Sequence, residues 1–153
     1  MKKTRLLGEK EMNKSKIVLD AEYADIIITL LQEPYSISSI TKLVFIAFCV
    51  KHEDNLSSYK NRSKDFVDCF FKNISLKLSA HCGEIENILC VINMLKNTSI
   101  VTVENDSITL INNFGHKSEN RFLNFCVDKI PNPILEINKL SAKALLEEVI
   151  RYV

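Results

Sequence analysis

The chain has 153 residues, of which 46% are hydrophobic and 25% charged, with 20 basic side chains against 19 acidic ones. That length suits one core burying roughly 70% of the surface its unfolded chain exposes, and the even charge balance excludes whole-chain attraction to nucleic acid or an anionic membrane. The longest apolar run, Leu43 to Val50, is far short of the ~20 residues that cross a bilayer.

Residues 1–19 read as a flexible basic N-terminal segment, and no apolar stretch with a small-residue cleavage site follows, so no signal peptide is expected. Residues 20–153 read as a single helical domain. Asp20 can cap a helix to Glu33 that turns Tyr23, Ile27, Leu30 and Leu31 inward and is ended by Pro34. Ser38 can cap a second helix to about Val50. Its main stripe is Ile40, Leu43, Val44, Ala47 and Phe48, but Phe45, Ile46, Cys49 and Val50 fill the other side. A helix apolar nearly all round belongs in the middle of a fold. Residues 51–64 read as a polar loop, and Phe66, Val67, Phe70, Phe71, Ile74 and Leu78 mark a third helix.

The segment 83–112 carries the clearest pattern. From Glu84 to Asn97 the residues Ile85, Ile88, Leu89, Ile92 and Leu95 share one helical face. After Ser99 the period becomes two. A two-residue Asn105-Asp106 turn sets Val103 against Ile108, Val101 against Leu110 and Thr102 against Thr109. Asn and Asp are the non-glycine residues that best tolerate the positive φ of such a turn. Further on, Ser118 can cap a helix burying Phe122, Leu123, Cys126 and Ile130, closed by Pro131 and Pro133. Ser141 can cap the last helix, with Glu147 and Arg151 as an i,i+4 pair. Helices followed by a helix that feeds directly into a hairpin give a mainly α fold with a small β-hairpin, winged-helix-like at 83–112.

The residues that could carry chemistry are few. Gly8, Gly83 and Gly115 are the only glycines, too far apart for a phosphate-cradling loop or a dinucleotide fingerprint. Cys49 and His52 stand C-x-x-H, and His81-Cys82 with Cys90 could complete a zinc set. That spacing fits no familiar module, and Cys49 lies in the most apolar helix, so core packing is the expectation. Five scattered cysteines predict reduced thiols in a cytoplasm rather than a disulfide framework. Paired carboxylates such as Glu53-Asp54 and Glu147-Glu148 read as solvated faces. No catalytic residue, cofactor or metal is expected.

A winged helix would read DNA with the helix before its hairpin. Here that helix carries Glu84 and Glu86, and the wing tip carries Glu104 and Asp106. Carboxylates facing phosphates forfeit the counterion release that dominates such affinity. The one locally basic stretch, with Tyr59, Lys60, Arg62 and Lys64, is the expected place for any nucleic-acid contact.

The run from Ser38 to His52, the later segment from Phe70 to Leu78 and the helix and hairpin of Ile88 to Leu110 resemble the small middle component of bacterial three-component ABC systems. These systems overlap with Lamassu-type anti-phage defence. The resemblance covers roughly residues 20–112 and is one of hydrophobic pattern, without a catalytic signature. It implies a non-enzymatic cytoplasmic adaptor that partners an SMC-like ATPase and an effector such as a nuclease, bridging the two and helping to restrain the effector. DNA would then be met indirectly or by the whole complex. The alternative is a winged-helix DNA-binding transcriptional regulator.

Overall fold

The computed structural model describes residues 2–53, 66–113, 115–129 and 132–151, with side chains described from residue 15 onward except 66–69 and 73. Among these described residues seven helices and one hairpin follow in the order α1 (Lys2–Leu31), α2 (Ile40–His52), α3 (Phe66–His81), α4 (Glu84–Asn97), β1 (Val101–Glu104), β2 (Ser107–Leu110), α5 (Arg121–Val127), α6 (Pro133–Asn138) and α7 (Ala142–Arg151). The fold is mainly helical with a two-stranded antiparallel sheet. Among the described residues no helix is long and apolar enough to cross a membrane.

Helix α1 corrects the first expectation. It is continuous from Lys2 to Leu31, so the segment expected as a flexible lead is helical and Asp20 lies inside the helix rather than at its cap. Residues 2–19 are rich in Lys and Leu, strong helix formers that carry the helix past any internal start signal. The inward face holds as read, with Tyr23, Ile26, Ile27, Leu30 and Leu31 buried.

Helices α1, α2 and α4 pack against one another, and the hairpin lies on α4 and α1. Helix α3 packs instead on α6 and α7, while α2 also touches α5 and α7. Helix α2 thus sits between two layers, and Leu43, Val44, Ile46, Ala47, Phe48, Cys49 and Val50 are all buried. Each large apolar side chain removed from water there stabilises the fold by about 1.5–3 kcal/mol. Phe70, Phe71 and Ile74 of α3 and Ile134 and Ile137 of α6 complete the same core.

The ends of the elements show which polar groups position them. Ser39, one residue past the expected Ser38, caps α2 by accepting the Lys42 N–H at 3.3 Å. Asn120, not Ser118, caps α5 through the Leu123 N–H at 3.0 Å, because Ser118 is committed to Asp25. Pro133 opens α6 instead of closing α5: Asn132 caps it, and proline at the first helical position lacks only an N–H that would be unpaired anyway. Ser141 caps α7 as expected, accepting the Ala144 N–H at 3.1 Å. Arg151 pairs with Glu148 at 3.2 Å and Glu147 faces Lys143 at 3.9 Å, in place of the expected Glu147–Arg151 pair.

The passage from α4 into β1 uses a left-handed residue. Ser99, with φ 61°, donates to Lys96 O at 3.1 Å, and Ile100 N donates to Leu95 O at 2.9 Å. These two bonds satisfy the last carbonyls of α4 and turn the chain into the strand. The hairpin has the register read from the sequence, Val101↔Leu110, Thr102↔Thr109 and Val103↔Ile108, with Asn105 at φ 54°. The two threonine hydroxyls on its outer face meet at 2.8 Å.

Candidate functional site

The surface that the fold builds most deliberately is formed by α4 and the hairpin tip. Ser39 makes an isolated antiparallel bridge to Ser107, in which Ile40 N donates to Asp106 O and Ile108 N donates to Ser38 O, both at 2.8 Å. Ser39 Oγ donates to Asp106 Oδ2 at 2.7 Å. The Thr41 N–H and hydroxyl both donate to Asp106 Oδ1, at 3.1 and 3.0 Å. The Ser39 hydrogen bond first, and those from Thr41 after it, hold the Asp106 carboxyl below its usual range. The hairpin tip is therefore fastened to the start of α2, and Asp106 is spent on that join.

Helix α4 buries Ile88, Val91, Ile92 and Leu95. Leu89, expected to face inward, is 47% exposed, and Val91 takes the inward place. The outward face then runs Glu86, Leu89, Cys90, Asn93, Met94 and Asn97, all exposed and spaced along one side of the helix. Lys96 is the cation of this helix. The basic stretch with Tyr59, Lys60, Arg62 and Lys64 lies outside the described residues, and so does Ile130.

At the opposite end of α4 a polar cluster draws in three other helices. Tyr23 of α1 donates its hydroxyl to Glu84 Oε2 at 2.5 Å, and His52 Nε2 meets the same oxygen at 2.5 Å. The imidazoles of His52 and His81 stack with centroids 4.6 Å apart and planes 18° from parallel. The Phe48 ring also packs against His52, with centroids 4.6 Å apart and planes tilted by 42°. Burial alone would raise the Glu84 carboxyl, but the hydrogen bonds from Tyr23 and His52, aided by the positive potential of both imidazoles, bring it below its usual value. Burial, reinforced by Glu84, pushes the Tyr23 phenol far upward and keeps it a donor. The ligating atoms of His52, His81 and Glu84 all lie within 4.8 Å of one another.

The thiols of the zinc set considered from the sequence do not gather there. Cys49 is buried in the core, with its thiol pushed well up by burial, while Cys82 and Cys90 are exposed. Spacing did bring out His52 and His81, and the third member, Glu84, stands at His-x-x-Glu from His81. Without contacts, that spacing is only the start of a helix.

A second cluster joins α1 to the segment before α5. His116 Nε2 meets Asp25 Oδ1 at 2.5 Å, and Ser118 Oγ donates to Asp25 Oδ2 at 2.6 Å. Gln32 exchanges two bonds of 2.9 Å with the backbone of His116. Asp25 stands between serine and histidine, and the hydroxyl donates to the carboxylate instead of to the imidazole. A nucleophile–base pair requires the opposite arrangement, so this cluster acts as a tether. It borders an open groove of about 650 Å³ lined in part by Ile17, Val18, Ile26 and Lys51. Compared with protein-family models, with curated proteins and with solved structures, the chain matches none.

Proposed function

We propose that this chain is a non-enzymatic adaptor subunit of an SMC- or ABC-type ATPase complex of anti-phage defence, joining the ATPase to an effector and helping to restrain that effector. The α1–α2–α4 unit with its hairpin is read as winged-helix-like. The Ser39–Ser107 bridge supports this reading, because it sets a one-residue strand between the first two helices against the second strand of the wing. Helix α3 is then an insertion between the second and third helices of the motif, packed away on α6 and α7.

One observation carries the adaptor reading. The outward side of α4, where a DNA-reading winged helix would present cations, presents Leu89 and Met94, 47% and 46% exposed, beside Glu86 and Cys90. An apolar stripe edged by polar residues favours a protein partner, and its carboxylate works against phosphate contact. Two of the three segments that resemble the middle component of three-component ABC systems lie in this unit, in α2 and in α4 with the hairpin, and the third lies in α3.

The test is co-purification from the native host. The full chain is expected to come through size exclusion in a stoichiometric complex with a coiled-coil ATPase and to leave duplex DNA unretarded when alone, even at low salt. A folded chain that runs alone, or that retards DNA with an affinity falling steeply with salt, contradicts the reading and favours the transcriptional regulator.

A further inference from the structure

We propose that His52, His81 and Glu84 bind one divalent transition-metal ion of the zinc type, clipping together the ends of α2 and α3 and the start of α4. The three side chains come from three helices: His52 is the last residue of α2, His81 the last of α3 and Glu84 the first of α4. Their ligating atoms already lie within 4.8 Å of one another. Donors around tetrahedral zinc, each at about 2.0–2.1 Å, stand roughly 3.4 Å apart. The His52–Glu84 pair, now at 2.5 Å, has to open by only about 1 Å, and the other donors close by roughly 1.5 Å at most. Side-chain rotation supplies both movements.

The electrostatics suit a cation. Helices α2 and α3 both end at the site, so two sets of C-terminal carbonyls turn their negative ends toward it, against the single N-terminus of α4. The two stacked imidazoles, 4.6 Å between centroids, offer ring nitrogens of the kind that zinc takes beside a carboxylate oxygen. Tyr23 holds Glu84 from behind through its 2.5 Å hydrogen bond, the kind of outer contact that orients a ligating carboxylate. His52 and Glu84 side chains are 14% and 20% exposed and His81 is exposed, which leaves an entry path and room for water as a fourth ligand. Two imidazoles and one carboxylate select zinc, cobalt, nickel or copper over magnesium and calcium, which demand oxygen shells.

The site uses no thiol, and this separates it from the cysteine set suggested by spacing. The experiment titrates zinc alone, and cobalt alone, into the chelator-stripped full chain at neutral pH. Calorimetry reads binding and thermal unfolding reads the Tm. One equivalent is expected to bind and raise the Tm. His81→Ala is expected to weaken binding at least tenfold, and Glu84→Gln to do the same, each read against the variant's own metal-free Tm. Cys82→Ser is expected to bind like the parent, and the cobalt spectrum to lack thiolate charge-transfer absorption. Affinity should fall as pH is lowered, because protons compete with the metal for its ligands. Substoichiometric binding, full binding by His81→Ala, or any loss in Cys82→Ser overturns the proposal and leaves the cluster as a proton-linked hydrogen-bond network.

Discussion

Asp106 caps a helix 65 residues away: its Oδ1 accepts the backbone N–H of Thr41 at 3.1 Å. Ser39 already caps α2 from within, so the first turn of α2 is satisfied by one local side chain and one from the hairpin tip. The hairpin cannot swing without uncovering these donors. The α4 face is thereby presented by a hairpin fixed at both ends, by the tight turn at Ser99 and by the Asp106 join.

Asp106→Ala is therefore expected to cost about 1 kcal/mol at neutral pH, the middle of the range for helix caps, reduced somewhat by solvent screening at this exposed position. The folded carboxyl is held below its ordinary value. Its contribution is complete above the unfolded value near 3.9 and is lost as pH falls through the lower folded value. Urea unfolding of parent and variant should thus differ by a constant amount above about pH 5 and converge below about pH 4.

Ser99→Gly should stabilise the chain. The residue sits at φ 61°, where a side chain is strained and glycine is not, so a gain of about 0.5–1 kcal/mol is expected. Thermal unfolding reads it as a raised Tm with unchanged circular dichroism.

Tyr23→Phe removes one of the two hydrogen bonds to Glu84 Oε2. A loss of about 1–2 kcal/mol is expected, because the partly buried carboxylate is left short of a donor. The Glu84 carboxyl, now held below its usual range despite burial, should titrate at higher pH by carbon-detected NMR. Since the folded value is the lower one, Glu84 stabilises above its unfolded value of about 4.3 and ceases to do so as pH falls. The variant should lose part of that pH dependence.

Ile88 and Leu89 are neighbours in sequence with opposite roles. Ile88 is fully buried and Leu89 is 47% exposed. Ile88→Ala is expected to cost about 2–4 kcal/mol, and Leu89→Ala within about 0.5 kcal/mol, in chemical denaturation of the isolated chain.

Much of the fold was legible from periodicity. The hairpin register followed from a period of two around Asn105-Asp106, and the central place of α2 from apolar residues on every side. Caps were less legible, because Ser38 and Ser39, like Ser118 and Asn120, are equally able to cap. The choice fell to tertiary partners, Asp106 in one case and Asp25 in the other. Leu89 was misplaced because Leu89 and Val91 both extend the apolar stripe of α4, and only the neighbouring helices decide which is covered. The Tyr23–Glu84–His52–His81 cluster depends on contacts between residues up to 61 positions apart, which no local pattern encodes.

The most direct measurement places Leu89→Glu and Met94→Glu together in the full chain and repeats size exclusion with a coiled-coil SMC-like ATPase. Both side chains are on the surface, so the double variant is expected to fold with the parent's circular dichroism. It should fail to enter the complex that the parent forms. A double variant that still joins the complex at parental stoichiometry contradicts docking through the outer face of α4.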